Sequence, residues 1–147
     1  MGEPTLGRTR FSPRTTENLE FDHMKFQPDR ADGVNLITRI ESGAIWVRDT
    51  ALQTSILVPW EGPAVEWSAP TQPPWTAEHF AQILALGPEL VIFGSGARLK
   101  FPAPAALRPL YEARVGVETM DTAAACRTFN VLVTEGRKAV AALLIPA

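Results

Sequence analysis

Two glycines flank a serine in Gly94-Ser95-Gly96, directly after the apolar run Val91-Ile92-Phe93. A buried strand ending in Gly-x-Gly is how many phosphate sites begin, because glycine lets backbone N–H groups approach an anion closely. A dinucleotide fingerprint also needs a third small residue at position 99 and a helix that starts inside the loop. Position 99 is leucine, and Pro102 and Pro104 delay any helix. No Gly-Lys-Ser/Thr follows for a P-loop. The spacing also fails the Gly-x-Ser-x-Gly of a nucleophile elbow. What is left is a tight turn at the carboxyl end of a central strand, where open α/β sheets tend to have their crevice. Arg98 and Lys100 would suit an anion there, although solvated surface charge is the simpler role.

Other chemistry is sparse. His23 lies near the start of the chain, and His79 projects away from the apolar stripe of its helix beside Glu78, which favours a solvated imidazole. His, Cys and carboxylates nowhere cluster at metal-ligand spacing, so no metal site and no cofactor are expected. Cys126 sits at the edge of an apolar helical stripe, the setting of a small buried hydrophobe rather than a reactive thiolate. No strand end offers paired carboxylates for acid–base work, and no catalytic residue is assigned. Asn130 follows Cys126 by four positions, inside a helix where asparagine is mildly unfavourable. Its simplest role is a boundary residue hydrogen-bonded to a neighbouring loop. The alternative is a polar pocket that it shares with Thr122 and the Gly94–Gly96 loop.

The elements that must position these residues follow from composition and period. The chain has 147 residues, 46% hydrophobic and 20% charged, with a net charge of −2. One domain of that size buries roughly 70% of its unfolded surface and needs no disulfide or metal staple. The mild acidity gives no nucleic-acid footprint, and no apolar run approaches the roughly 20 residues of a membrane span. A single cysteine and no secretory h-region point to the cytoplasm. Residues 1–32 mix both charge signs without a hydrophobic period, so they read as a flexible extension before a single domain over 33–147.

Three β-prone runs, Asn35–Glu41, Ala44–Arg48 and Ala51–Val58, read as an antiparallel meander with a tight turn at Ser42-Gly43. A proline-dense link follows, with Trp60, Trp67 and Trp75 read as aromatics capping the core, an exposed aromatic contact patch being the alternative. Thr76–Leu86 is a helix closed by Gly87-Pro88, and Glu89–Phe93 is an apolar strand of the centrally placed kind. A shorter helix within Ala106–Arg114 precedes a strand at Val115–Thr119. Asp121 or Thr122 caps a longer helix to about Glu135, with Ala125, Phe129, Leu132 and Val133 on one face. Gly136 ends it before a buried strand, Ala139–Ile145. The order β-β-β-α-β-α-β-α-β gives an α/β class with a mixed sheet, an N-terminal meander and three helices.

Taken together, Glu89–Gly96, Val117–Met120, Asp121–Asn130 and Leu132–Arg137 resemble a small α/β family. It includes the mitochondrial assembly factor 3 of complex I (NADH:ubiquinone oxidoreductase) and many bacterial proteins of unknown function. The resemblance runs from Lys25 to Pro146, is strongest from Pro88, and is most specific over Thr128–Arg137. That family often has tyrosine where this chain has Phe129, and Gly-Thr-Gly where it has Ser95 in the loop. The resemblance implies a three-layer fold, a last strand able to run antiparallel, and a cleft near the Gly-x-Gly loop and the last helix. Gly94, Ser95, Gly96, Thr122, Thr128 and Asn130 would line that cleft.

Two functions follow as expectations. The first is a non-enzymatic protein-interaction or assembly-factor-like domain, serving respiratory complex I or another membrane complex. It would have a protein partner and no transmembrane segment, which leaves room for peripheral membrane association. The second is a small-molecule binder, or an enzyme of unrecognised type, using the crevice near Gly94–Gly96.

Overall fold

The computed structural model describes residues 33–146. The expected extension over 1–32 lies outside the described residues. Among them, strands β1 (Ile37–Glu41), β2 (Ala44–Val47) and β3 (Thr50–Leu52) form an antiparallel meander in the order β1-β2-β3. Gly43 turns the first hairpin at a φ of 86°, a conformation that an L side chain rarely adopts.

A second sheet holds β4 (Ile56–Pro59), β5 (Val65–Glu66), β6 (Leu90–Gly94), β7 (Gly116–Met120) and β8 (Ala139–Leu143), in the order β5-β4-β8-β6-β7. The expected single strand Ala51–Val58 is therefore two. Thr50 and Ala51 are exposed and complete the meander, whereas all four residues of β4 are buried, as an inner strand covered on both faces requires. Gln53-Thr54-Ser55 breaks the chain between them. The last strand pairs antiparallel with β4 and parallel with β6, so it lies in the middle and makes the sheet mixed. Its sequence, Ala-Val-Ala-Ala-Leu, is wholly buried, and small side chains let layers approach it from both sides.

Three α-helices are described: α1 (Ala77–Ala81), α2 (Arg108–Glu112) and α3 (Thr122–Thr134). The expected helix Thr76–Leu86 changes to a tighter 3-10 turn at Gln82 and stops at Gly87, whose φ is 68°. Pro109 is tolerated because it falls in the first turn of α2, where its missing N–H has no helical partner to lose. Asp121 caps α3 by accepting the Ala124 N–H at 2.9 Å.

One face of the sheet carries Val91, Phe93, Val140 and Ala142 against α1, α2 and the proline-dense link. Phe93 lies at the centre, edge-to-face with Trp67, Trp75 and Phe80 at centroid distances of 5.9, 5.1 and 5.3 Å. Both indoles have partners: Trp67 donates to the His79 carbonyl and Trp75 to the Pro70 carbonyl, each at 2.8 Å. Helix α3 packs against β6 and β8 and also contacts β1.

Candidate functional site

At the carboxyl end of β6 the chain folds Gly94, Ser95 and Gly96 under the first turn of α3. Gly94 is there because nothing larger fits. A Cβ on it would lie 2.9 Å from both the Thr122 Cα and a Leu143 methyl, inside any real carbon contact. Gly96 has the opposite reason: a Cβ there would meet nothing within 4 Å, and its φ of 103° sets the turn.

Thr122 ties this turn to the neighbouring strand. Its Oγ1 accepts the Gly96 N–H at 2.8 Å and donates to the Leu144 carbonyl at 2.7 Å. The Thr122 N–H reaches back to the Gly96 carbonyl, and the Leu144 N–H to the Gly94 carbonyl, both at 2.9 Å. The Gly96 N–H, the donor that a phosphate cradle would aim at its anion, is thus committed to a side chain of the same chain.

Ser95 is turned inward and organises the loop that follows. Its Oγ donates to the Arg98 carbonyl at 2.7 Å and accepts the Lys100 N–H at 2.9 Å. The Ser95 N–H bonds the Met120 carbonyl at the end of β7. Thr128, six residues along α3 from Thr122, places its Oγ1 3.3 Å from the Met120 sulfur.

The structure therefore brings Gly94, Ser95, Gly96 and Thr122 together, with Thr128 at the adjoining strand end. Asn130 lies about 12 Å further along the helix axis than Thr122, given 1.5 Å of rise per residue. Its side chain exchanges two hydrogen bonds with the backbone of Ile37: Oδ1 accepts the N–H and Nδ2 donates to the carbonyl, each at 2.8 Å. The neighbour it satisfies is the first strand of the meander, and Asn130 acts as that strand's hydrogen-bonding partner.

Cys126 is fully buried on α3, and burial pushes its thiol up to about 12, far from a nucleophilic thiolate. His79 stays at the start of α1, where its Nδ1 accepts the Thr76 N–H at 3.0 Å and helps to cap the helix. At the opposite end of β6, Glu89 accepts the Lys138 N–H at 2.8 Å and lies 3.2 Å from the Arg137 Nε. The Lys138 bond first, then Arg137, holds its carboxyl below the ordinary glutamate value. Among the described residues, no group of three His, Cys, Asp or Glu side chains is placed to hold a metal ion.

Two residues with no expected binding role stand out here. Leu99 is 52% exposed and Phe101 71%, on the loop that Ser95 holds. Their signal was an alternation of apolar and cationic residues between a glycine turn and a proline, outside any helical or strand period.

Comparison with known proteins agrees with this architecture. The bovine NADH dehydrogenase [ubiquinone] 1 alpha subcomplex assembly factor 3 is 38% identical over 84 residues, which are 56% of this chain and 46% of the relative. This chain thus spans about half the length of that relative. A crystal structure from Bordetella parapertussis superposes with a TM-score of 0.73 at 38% identity, covering 78% of this chain and 98% of that one. The crystal structure of an outer membrane protein from Bartonella henselae does so with a TM-score of 0.67 at 28% identity, covering 78% and 98%. The model of the protein family of unknown function DUF498/DUF598 matches residues 37–144, from the first strand of the meander to just past the last strand of the sheet, and the chain belongs to that family.

Proposed function

We propose that this chain is a non-enzymatic, protein-binding domain that acts as an assembly factor for a membrane complex, respiratory complex I being the first candidate. The observation that carries the reading is how the polar groups around the glycine turn are used. Ser95, the Gly96 N–H, Thr122 and Asn130 each bond to groups of the same chain and stiffen the fold. Side chains committed in this way make a rigid platform rather than an acid, base or nucleophile poised for substrate. The assembly factors among its relatives support the same direction. A cytoplasmic setting, expected from the cysteine count, belongs to the reading.

The test is deletion of the gene in its native cells, followed by native-gel separation of the membrane complexes. Loss of a fully assembled complex, restored by the intact chain, is the expected result. Normal assembly of every complex, together with failure of the tagged chain to retain any defined protein, would overturn it. A binder of small molecules at the Gly94–Gly96 turn is the competing reading. A metabolite that specifically raises the melting midpoint would favour it.

A further inference from the structure

Residues Ala97 to Ala105 read Ala-Arg-Leu-Lys-Phe-Pro-Ala-Pro-Ala, so every side chain in the loop that is not apolar is a cation. From Ser95 through Tyr111 the chain carries Arg98, Lys100 and Arg108 and no acid, although its overall charge is −2. Leu99 and Phe101 point into solvent with over half of their surface uncovered. Ala97, Arg98, Ala103, Pro104 and Ala105 are exposed around them, while Pro102 is buried and pins the loop to the body.

Such exposure is not the product of slack. Ser95 Oγ bridges the Arg98 carbonyl and the Lys100 N–H, and the Lys100 Nζ donates to Gln72 at 2.6 Å. The backbone that carries Leu99 and Phe101 is thus tied down by bonds within the chain, which lowers the entropy cost of docking. The remaining large exposed apolar residues differ in setting. Val65 and Tyr111 adjoin Glu66 and Glu112 in sequence, and Val131 lies one turn from Glu135, so each has an acid close by.

We infer that the Ala97–Ala105 loop docks this protein onto an anionic lipid surface. Phe101 and Leu99 enter the boundary between headgroups and acyl chains. Arg98 and Lys100, at alternate positions, meet the lipid phosphates. The charge argues for a bilayer over a protein pocket. Cations interleaved with apolar residues, with no acid from Ser95 through Tyr111, suit a plane of uniform negative charge, whereas protein surfaces mix both signs. Two inserted side chains and two cations make a reversible, salt-sensitive attachment and not a permanent anchor. No helix among the described residues is long and apolar enough to cross a membrane.

The test is co-sedimentation of the full chain with protein-free vesicles, either pure phosphatidylcholine or equal parts phosphatidylcholine and phosphatidylglycerol. Binding should favour the phosphatidylglycerol vesicles and weaken as salt rises. Phe101→Glu should lower the apparent affinity about tenfold or more, since it replaces the aromatic that would enter the bilayer with a charge. The double variant Arg98→Gln/Lys100→Gln should lose the preference for phosphatidylglycerol. Val131→Glu, at an exposed apolar position outside the loop, should bind as the unaltered chain does. The Phe101 side chain is mostly in solvent, so an unchanged melting midpoint certifies the fold of its variant. No sedimentation with anionic vesicles overturns the proposal, as does full binding by Phe101→Glu. A Phe101→Glu variant that loses a protein partner while vesicle binding is absent throughout would reassign the loop to a protein contact. The vesicles contain no protein, so the result stands apart from the fate of the assembly-factor reading.

Discussion

Asn130 and Ile37 are 93 positions apart and exchange two hydrogen bonds of 2.8 Å, side-chain amide to backbone, in the buried space between α3 and β1. An amide side chain has the same donor and acceptor as a peptide group, so Asn130 completes the pairing of a strand residue that has no strand beside it there. This single residue fastens the meander to the last helix.

Asn130→Ala should therefore leave a buried N–H and a buried carbonyl without partners. Each costs roughly 1–3 kcal/mol, so a loss of about 3 kcal/mol in urea unfolding is expected. Asn130→Asp keeps the acceptor and turns the donor into a second acceptor. Burial raises the folded-state pKa of the new carboxyl above its unfolded value, so that variant should be least destabilised at acid pH, where the neutral acid can donate. Its deficit relative to the parent should grow as pH rises through the folded pKa. A deficit independent of pH would mean that the carboxyl has turned out to solvent.

The two glycines of the turn should respond differently to the same change. Gly94→Ala forces a methyl to within 2.9 Å of the Thr122 backbone and a Leu143 methyl, so α3 must move. Overpacking of this kind costs about 3 kcal/mol. Gly96→Ala meets no atom and pays only for its positive φ, about 1 kcal/mol. Thermal melts of the two variants would separate a packing glycine from a turning one.

Ser95→Ala should act locally. Removing Oγ frees the Arg98 carbonyl and the Lys100 N–H, so the amide of Lys100 should exchange with solvent markedly faster. Global stability should fall by about 1 kcal/mol, the worth of an ordinary hydrogen bond. Unchanged exchange at Lys100 would show that the prolines alone hold the loop.

Cys126, with its thiol pushed up to about 12 and no exposed surface, should resist alkylation in the native protein at pH 8. Labelling should appear only as the chain unfolds and should follow the denaturant transition. Rapid labelling of the folded chain would mean that α3 opens locally.

Glu89 bears on acid stability. Its folded-state pKa is depressed, so its contribution is present above the unfolded value and is lost as pH falls through the folded one. The window lies below the ordinary glutamate pKa of ~4.3. Glu89→Gln should flatten the stability profile there and leave its shape near neutrality unaltered.

Several features of this chain were legible without coordinates because they depend on near neighbours in sequence. Apolar spacing over Ala125–Val133, the Asp121 cap and the glycine stop at Gly136 make α3 wherever it packs. Leu99 and the prolines after it rule out a dinucleotide loop on local geometry alone. The alternation of strands and helices gives an α/β class before any strand is paired.

Partners across the fold were decided only in three dimensions. The run from Ala51 to Val58 looks continuous in β propensity, but its two ends serve different sheets, and propensity carries no information about which sheet a strand joins. The place of Ala139–Leu143 between an antiparallel and a parallel neighbour is likewise a matter of pairing. So are the two glycines. Gly94 and Gly96 are identical letters two positions apart, yet one is required by a helix that begins 28 residues later and the other by its own backbone angle. Asn130 reads from the sequence as a boundary residue bonded to a neighbouring loop, with a pocket margin as the alternative, because a polar residue inside a helix announces that it needs a partner without naming it. That partner, Ile37, came from the far end of the domain, since a buried backbone group takes whichever donor or acceptor the packing brings within reach.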